Sequence, residues 1–173
     1  GVCDISIPYS IWKKGIEDSR FAGSDFLRVL EIYKGEHILT NKKQREIKAH
    51  KEQQDILSLK KCYENTKAGE WLTWMQKTNH KSYGNIRQLL NNNKWQTVCF
   101  ILDAINQLPV WKQEMKTLAV FASSISQDPH FFDKGIENTL LLQGICYIFE
   151  VEEQDLNLAE KNKLYYDAGL LKD

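Results

Sequence analysis

Two aspartates and a histidine fall within the six residues D-P-H-F-F-D, at Asp128, His130 and Asp133. Side chains of these types at this spacing could serve as metal ligands, as an acid/base cluster, or as the polar closure of a turn between helices. Asp128 precedes Pro129, and a residue before proline is pushed out of the helical region, so the preceding helix must end there. The Asp128 carboxylate can cap the turn that follows. His130 can bond Asp133 or the last carbonyls of the helix ending near Ser124. Metal binding would need at least a third or fourth ligand. Structural capping is the first reading of these residues, and contact with a partner or ligand, or catalysis, stays open beside it.

Two further clusters carry charge. In D-S-R-F (Asp18, Ser19, Arg20, Phe21) an arginine sits beside Asp and Ser at a helix end, where a structural ion pair joining two elements is the usual outcome. A phosphate-binding arginine is the alternative. Lys42, Lys43, Arg45, Lys48 and Lys51 punctuate a stretch of good helix formers, residues 41–64, that holds no Gly or Pro. Its first half has too few apolar residues to bury a wide stripe, so it should project into solvent or meet a polar partner. The sharper alternative is a basic rod on a phosphate backbone, although Glu46 and Glu52 are interleaved.

Other chemistry lacks local support. No phosphate-binding glycine loop, dinucleotide fingerprint, nucleophile elbow or H-E-x-x-H occurs. The histidines (His37, His50, His80, His130) are dispersed. The four cysteines form no C-x-x-C pair, which disfavours zinc knuckles and disulfide frameworks. Cys99 and Cys146 sit in apolar runs as small core residues, and a reducing cytoplasm is the expected location. No catalytic residue, metal or cofactor is assigned.

The elements that must position these clusters are helices. A short strand is predicted over Val2–Ile7, ended by Pro8, then a helix over 9–20 with Ile11, Trp12 and Ile16 on one face. Ser24 is a candidate N-cap for a helix bearing Phe26, Leu27, Leu30 and Tyr33, closed by Gly35. Further helices are predicted over Ala68–Lys77, Ile86–Leu90 (after a break at Asn79–Gly84), Trp95–Leu108, Val110–Ser124, Ile136–Phe149 and Asn157–Asp167. Asn157 is the cap and Gly169 the stop of the last. The five tryptophans are mostly core anchors. The fold class is therefore mainly α, with at most one short N-terminal strand.

With 42% hydrophobic and 27% charged residues in 173, the chain reads as one helical domain, 1–173, able to bury roughly 70% of its unfolded surface. No apolar run approaches the ~20 residues of a membrane span; the longest, Leu140–Phe149, contains Gln143. Net charge is zero but uneven. From Asp128 onward ten acidic residues face four basic ones, leaving 19 basic against 13 acidic before it. Such polarity suits a nucleic-acid side and a protein side, or simply solvated helix faces. The first residue is not Met, as expected of a fragment or processed chain.

Three stretches carry a family resemblance: D-S-R-F-A-G-S-D-F-L-R-V-L-E-I-Y-K-G (18–35), L-A-V-F-A-S-S-I-S-Q-D-P-H-F-F-D-K-G (118–135) and Y-Y-D-A-G-L-L-K-D (165–173). The chain resembles the N-terminal domain of a conserved bacterial family whose members continue into a Toprim-type domain. Those proteins are regarded as the JetD-like nuclease subunit of one type of Wadjet anti-plasmid defence system, encoded beside an SMC-like ATPase. Two departures stand out: Gln127 replaces the glycine often found before Asp-Pro-His, and the 41–64 region is unusually Lys-rich. The resemblance implies a non-catalytic domain, since the Toprim acidic cluster lies outside these residues. It also implies duplex DNA, the protein's own Toprim domain, the SMC-like complex or a second copy as partners. A stand-alone helical scaffold, or a metal-dependent hydrolase using D-P-H-x-x-D, is the alternative.

Overall fold

The computed structural model describes residues 7–23, 26–35, 40–153 and 156–172. Among them are nine α-helices, a 3-10 turn and one two-residue strand pair, so the fold is mainly α. The predicted strand over Val2–Ile7 and the Ser24 cap fall outside the described residues, Ile7 excepted. The chain divides into two units, residues 1–47 and 48–173.

In the first unit, α1 (Tyr9–Glu17) follows Pro8, whose carbonyl accepts from the Ile11 and Trp12 amides. It stops short of residue 20 because the Ser19 hydroxyl and amide both donate to the Ile16 carbonyl, tightening the last turn. Ile16 is buried, whereas Ile11 and Trp12 are exposed. Ile11 stands five residues from Ile16, about 140° around the helix at ~100° per residue, so the two do not share a stripe. In α2 (Phe26–Lys34), Gly35 closes the helix as expected, with a left-handed φ of 67° and its amide on the Glu31 carbonyl at 2.8 Å. Tyr33, one of the apolar residues at helical spacing, is 86% exposed.

Helix α3 (Asn41–Cys62) begins at Thr40, whose hydroxyl accepts from the Lys43 amide at 3.2 Å. Its first half is exposed, as expected, Ile47 included; burial starts at Ile56 and Leu59.

In the second unit, α6 (Trp95–Asn106) and α8 (Gly135–Ile148) form the centre. Both pack on α4 (Lys67–Lys77) and α5 (Lys81–Asn91), with α7 (Leu118–Ser126) on α6 and α9 (Leu158–Asp167) on α8. Trp71, Leu72, Ile101, Leu102, Ile105, Leu141 and Ile145 are fully buried in this core, each contributing about 1.5–3 kcal/mol of burial. Gly144 lets α8 approach α6, because a Cβ there would run into the Ile105 side chain. Of the tryptophans, Trp71 is buried, Trp74 and Trp95 pack against the core, and Trp12 and Trp111 are exposed.

Two predicted boundaries are corrected. Helix α5 starts at Lys81 rather than Ile86, and Gly84 lies inside it; the break is confined to Thr78–His80, where Asn79 takes a left-handed φ of 49°. The helix predicted from Val110 begins only at Leu118. Pro109 opens a 3-10 turn to Lys112, and Gln113 leaves it at φ 56°, left-handed and incompatible with helix continuation. The released segment forms β1 (Lys116–Thr117), parallel to β2 (Leu170–Leu171), with Lys116 opposite Leu170. Gly169, φ 82°, turns α9 into β2, and a Cβ there would lie 2.6 Å from the Glu114 carbonyl oxygen.

Candidate functional site

The aspartate–histidine cluster lies between α7 and α8. Gln127 ends α7 in the left-handed region, φ 65°. The Asp128 carboxylate accepts the His130 amide at 2.9 Å, and the Ser126 hydroxyl accepts the Asp128 amide at 3.2 Å. His130 Nδ1 meets Asp133 Oδ2 at 2.7 Å. That bond and the Asp133 charge push His130 above its ordinary value, with Asp128 adding to the effect. Asp128, Pro129, His130 and Asp133 are all exposed. The buried part is apolar: Phe132 is fully covered, stacked on Phe121 and edge-on to Phe131, which in turn meets Phe100 edge-on. Asn138 donates to the Phe132 carbonyl at 2.6 Å and to the Tyr165 hydroxyl at 3.0 Å, tying the turn to α9. The cluster's polar atoms thus close a turn whose rings anchor it.

In D-S-R-F neither Asp18 nor Arg20 forms an ion pair among the described residues. Asp18 caps the end of α1, its amide on the Lys14 carbonyl, while the Arg20 guanidinium lies 5.0 Å from the Phe21 ring centre. Ser19 accepts the Phe21 amide at 3.1 Å.

Lys42, Lys43, Arg45, Lys48 and Lys51 are all exposed on α3. Lys51 Nζ donates to Asn93 Oδ1 at 2.6 Å. Next to it, Glu52 accepts from Arg87 and Asn91. Burial works against its charge, but those bonds, with Arg87 and Lys48 nearby, hold its carboxyl below the usual range. One of the two interleaved acids is therefore spent inside the fold, leaving the charge of the exposed stretch more basic than its sequence suggests.

The structure also assembles a polar chain that spacing does not show. The His80 ring accepts the Ser82 amide at 3.2 Å as the cap of α5, and His80 Nδ1 lies 2.8 Å from Ser82 Oγ. Ser82 Oγ donates to Gln143 Oε1 at 2.7 Å, and Gln143 Nε2 donates to Glu153 Oε2 at 3.0 Å. Lys81 Nζ meets the same carboxylate oxygen at 2.9 Å. Ser82 and Gln143 are buried, at 0% and 4% exposure. Burial, with Lys81 beside it, pushes His80 below its ordinary value, opposed by Glu153. Glu153 is held low by Lys81 and Gln143 although its own burial works the other way. A serine beside a histidine can act as a nucleophile, but this hydroxyl is fully buried with its proton on Gln143, so the chain joins α5 to α8 and to the segment after it. Above it opens a cleft of about 870 Å³, walled in part by Trp74, Trp111, Tyr147 and Phe149. Among the described residues, no three His, Cys, Asp or Glu side chains converge as a metal-ion ligand group.

A family model described as "Protein of unknown function N-terminus (DUF3323)" matches residues 3–173. The chain belongs to this family. No curated protein and no solved structure matches it. The family match takes in the 118–135 turn, the basic helix and the cleft alike, so it favours none of them as the working surface.

The missed chain had one legible signal. Gln143 is the only strongly polar residue between Leu140 and Phe149, and a polar side chain inside a buried apolar helix needs a partner. Its partners, 61 positions away at Ser82 and ten away at Glu153, could not be named without the fold.

Proposed function

We propose that this chain is a non-catalytic docking domain of a cytoplasmic DNA-cleaving protein that acts with an SMC-like complex against plasmid DNA. In this reading α3 meets duplex DNA and the acidic C-terminal third meets protein. The observation that carries it is the first half of α3: Lys42, Lys43, Arg45 and Lys48 are exposed on a stretch with no buried residue, ahead of the turns that bury Ile56 and Leu59. A helix polar all round is stabilised by what it bridges rather than by burial, and clustered exposed cations are the footprint of phosphate binding. The polar atoms of D-P-H-x-x-D fit this reading, because they are occupied in closing a turn.

Fluorescence polarisation with a short labelled duplex tests it. Binding should fall steeply with salt, and Lys42→Ala/Lys43→Ala/Arg45→Ala should weaken it and reduce the salt slope by about one per cation removed. Absence of binding at low salt removes DNA from the proposal.

A further inference from the structure

Neither the D-P-H-x-x-D turn nor α3 contributes to the cleft above the buried polar chain. At about 870 Å³ it lies in the range of ligand and side-chain receptors. Its aromatic walls are Trp74, Trp111, Tyr147 and Phe149. Trp74 stands 4.9 Å from His80 and 5.1 Å from Tyr147 between ring centres. Such faces attract a cation through their quadrupoles.

The charge at the rim is unbalanced. Its two lysines are each committed: Lys67 to Glu70 at 3.1 Å and Lys81 to Glu153 at 2.9 Å. Glu150 and Glu152, which also line the cleft, are exposed, and among the described residues neither meets a cation. With His80 held towards neutrality, the cleft carries a surplus of two carboxylates. That surplus repels phosphate, so a nucleic acid is the wrong occupant. A planar, weakly hydrated guanidinium suits both the ring faces and the carboxylates.

We propose that this cleft receives an arginine-bearing segment of a partner protein, the guanidinium held over the aromatic walls and met by Glu150 and Glu152. This gives the protein-facing side of the docking reading a place and a chemistry, and rests on that reading for its partner but not for DNA.

The test uses the whole chain and a fluorescein-labelled octapeptide alternating Arg and Leu, with an alternating Glu/Leu octapeptide as comparison. The Arg peptide should bind and the Glu peptide should not. Glu150→Gln/Glu152→Gln should weaken binding about tenfold at low ionic strength. Glu46→Gln/Asp167→Asn, which removes two charges that do not line the cleft, should leave it unchanged. Failure of the Arg peptide to bind, equal binding of the Glu peptide, or equal loss in both double variants overturns the proposal. Lys42→Ala/Lys43→Ala/Arg45→Ala should keep full peptide binding; its loss of DNA binding would bear only on the α3 reading.

Discussion

In the turn at 127–134 Phe132 is buried, Phe131 packs partly buried against the core and the charged groups meet solvent; beneath the cleft a buried serine and glutamine link a histidine to a carboxylate. Both regions contain a histidine, a carboxylate and a hydroxyl. In the turn the bonded partners are two or three residues apart, so spacing alone suggests chemistry. Under the cleft only His80 and Ser82 are neighbours, and the links from Ser82 to Gln143 and from Gln143 to Glu153 span 61 and 10 positions. A polar group that closes a local turn keeps access to water, and its loss is cheap. One that bridges elements inside a core has no replacement partner, and its loss is costly.

The largest effect should come from the apolar half of the turn. Phe132→Ala empties a fully buried ring site and should cost about 3–5 kcal/mol in urea unfolding. A loss under about 1 kcal/mol would mean the rings do not anchor the joint. Next, Gln143→Leu should cost about 2 kcal/mol, because it leaves the Ser82 hydroxyl and the Glu153 carboxylate without their bridge. Adding Ser82→Ala should recover part of that loss, and strict additivity would show that the two are not coupled. Asp128→Ala removes a local cap and should cost only about 1 kcal/mol. If it exceeded the Gln143 effect, the contrast between the regions would fail.

The smallest effect is the sharpest discriminator, because the two histidines should titrate in opposite senses. The folded value of His130 is raised above 6.5, so its contribution is complete at pH below 6.5 and is lost as pH rises through that raised value. The folded value of His80 is lowered, so its contribution is present above 6.5 and lost as pH falls through the depressed value. His130→Ala should flatten the pH dependence of stability on the alkaline side. His80→Asn, which keeps a capping acceptor, should flatten it on the acid side. Both variants changing the same limb would contradict the two environments.

Local signals read well wherever one element explains itself. Gly35 and Gly169 stop helices as expected, and Asn157 caps α9 with a complete capping box shared with Glu160. Gly84 misled because tertiary packing of Ile86, Leu89 and Leu90 holds α5 helical through it. The segment after Pro109 misled because Gln113 takes a left-handed conformation, and because the partner strand lies more than fifty residues onward.

The amino-acid pattern by itself determined the mainly helical class, the exposed basic helix and the turn at Asp128–Asp133. Each follows from periodicity, capping or proline sterics within a few residues. The tertiary structure alone decided that Phe131 and Phe132 anchor that turn, that Ser82, Gln143 and Glu153 form one chain, and that Glu150 and Glu152 line a cleft with aromatic walls and meet no cation among the described residues. Those outcomes depend on which helices pack together, and packing is a property of distant surfaces that no local spacing records.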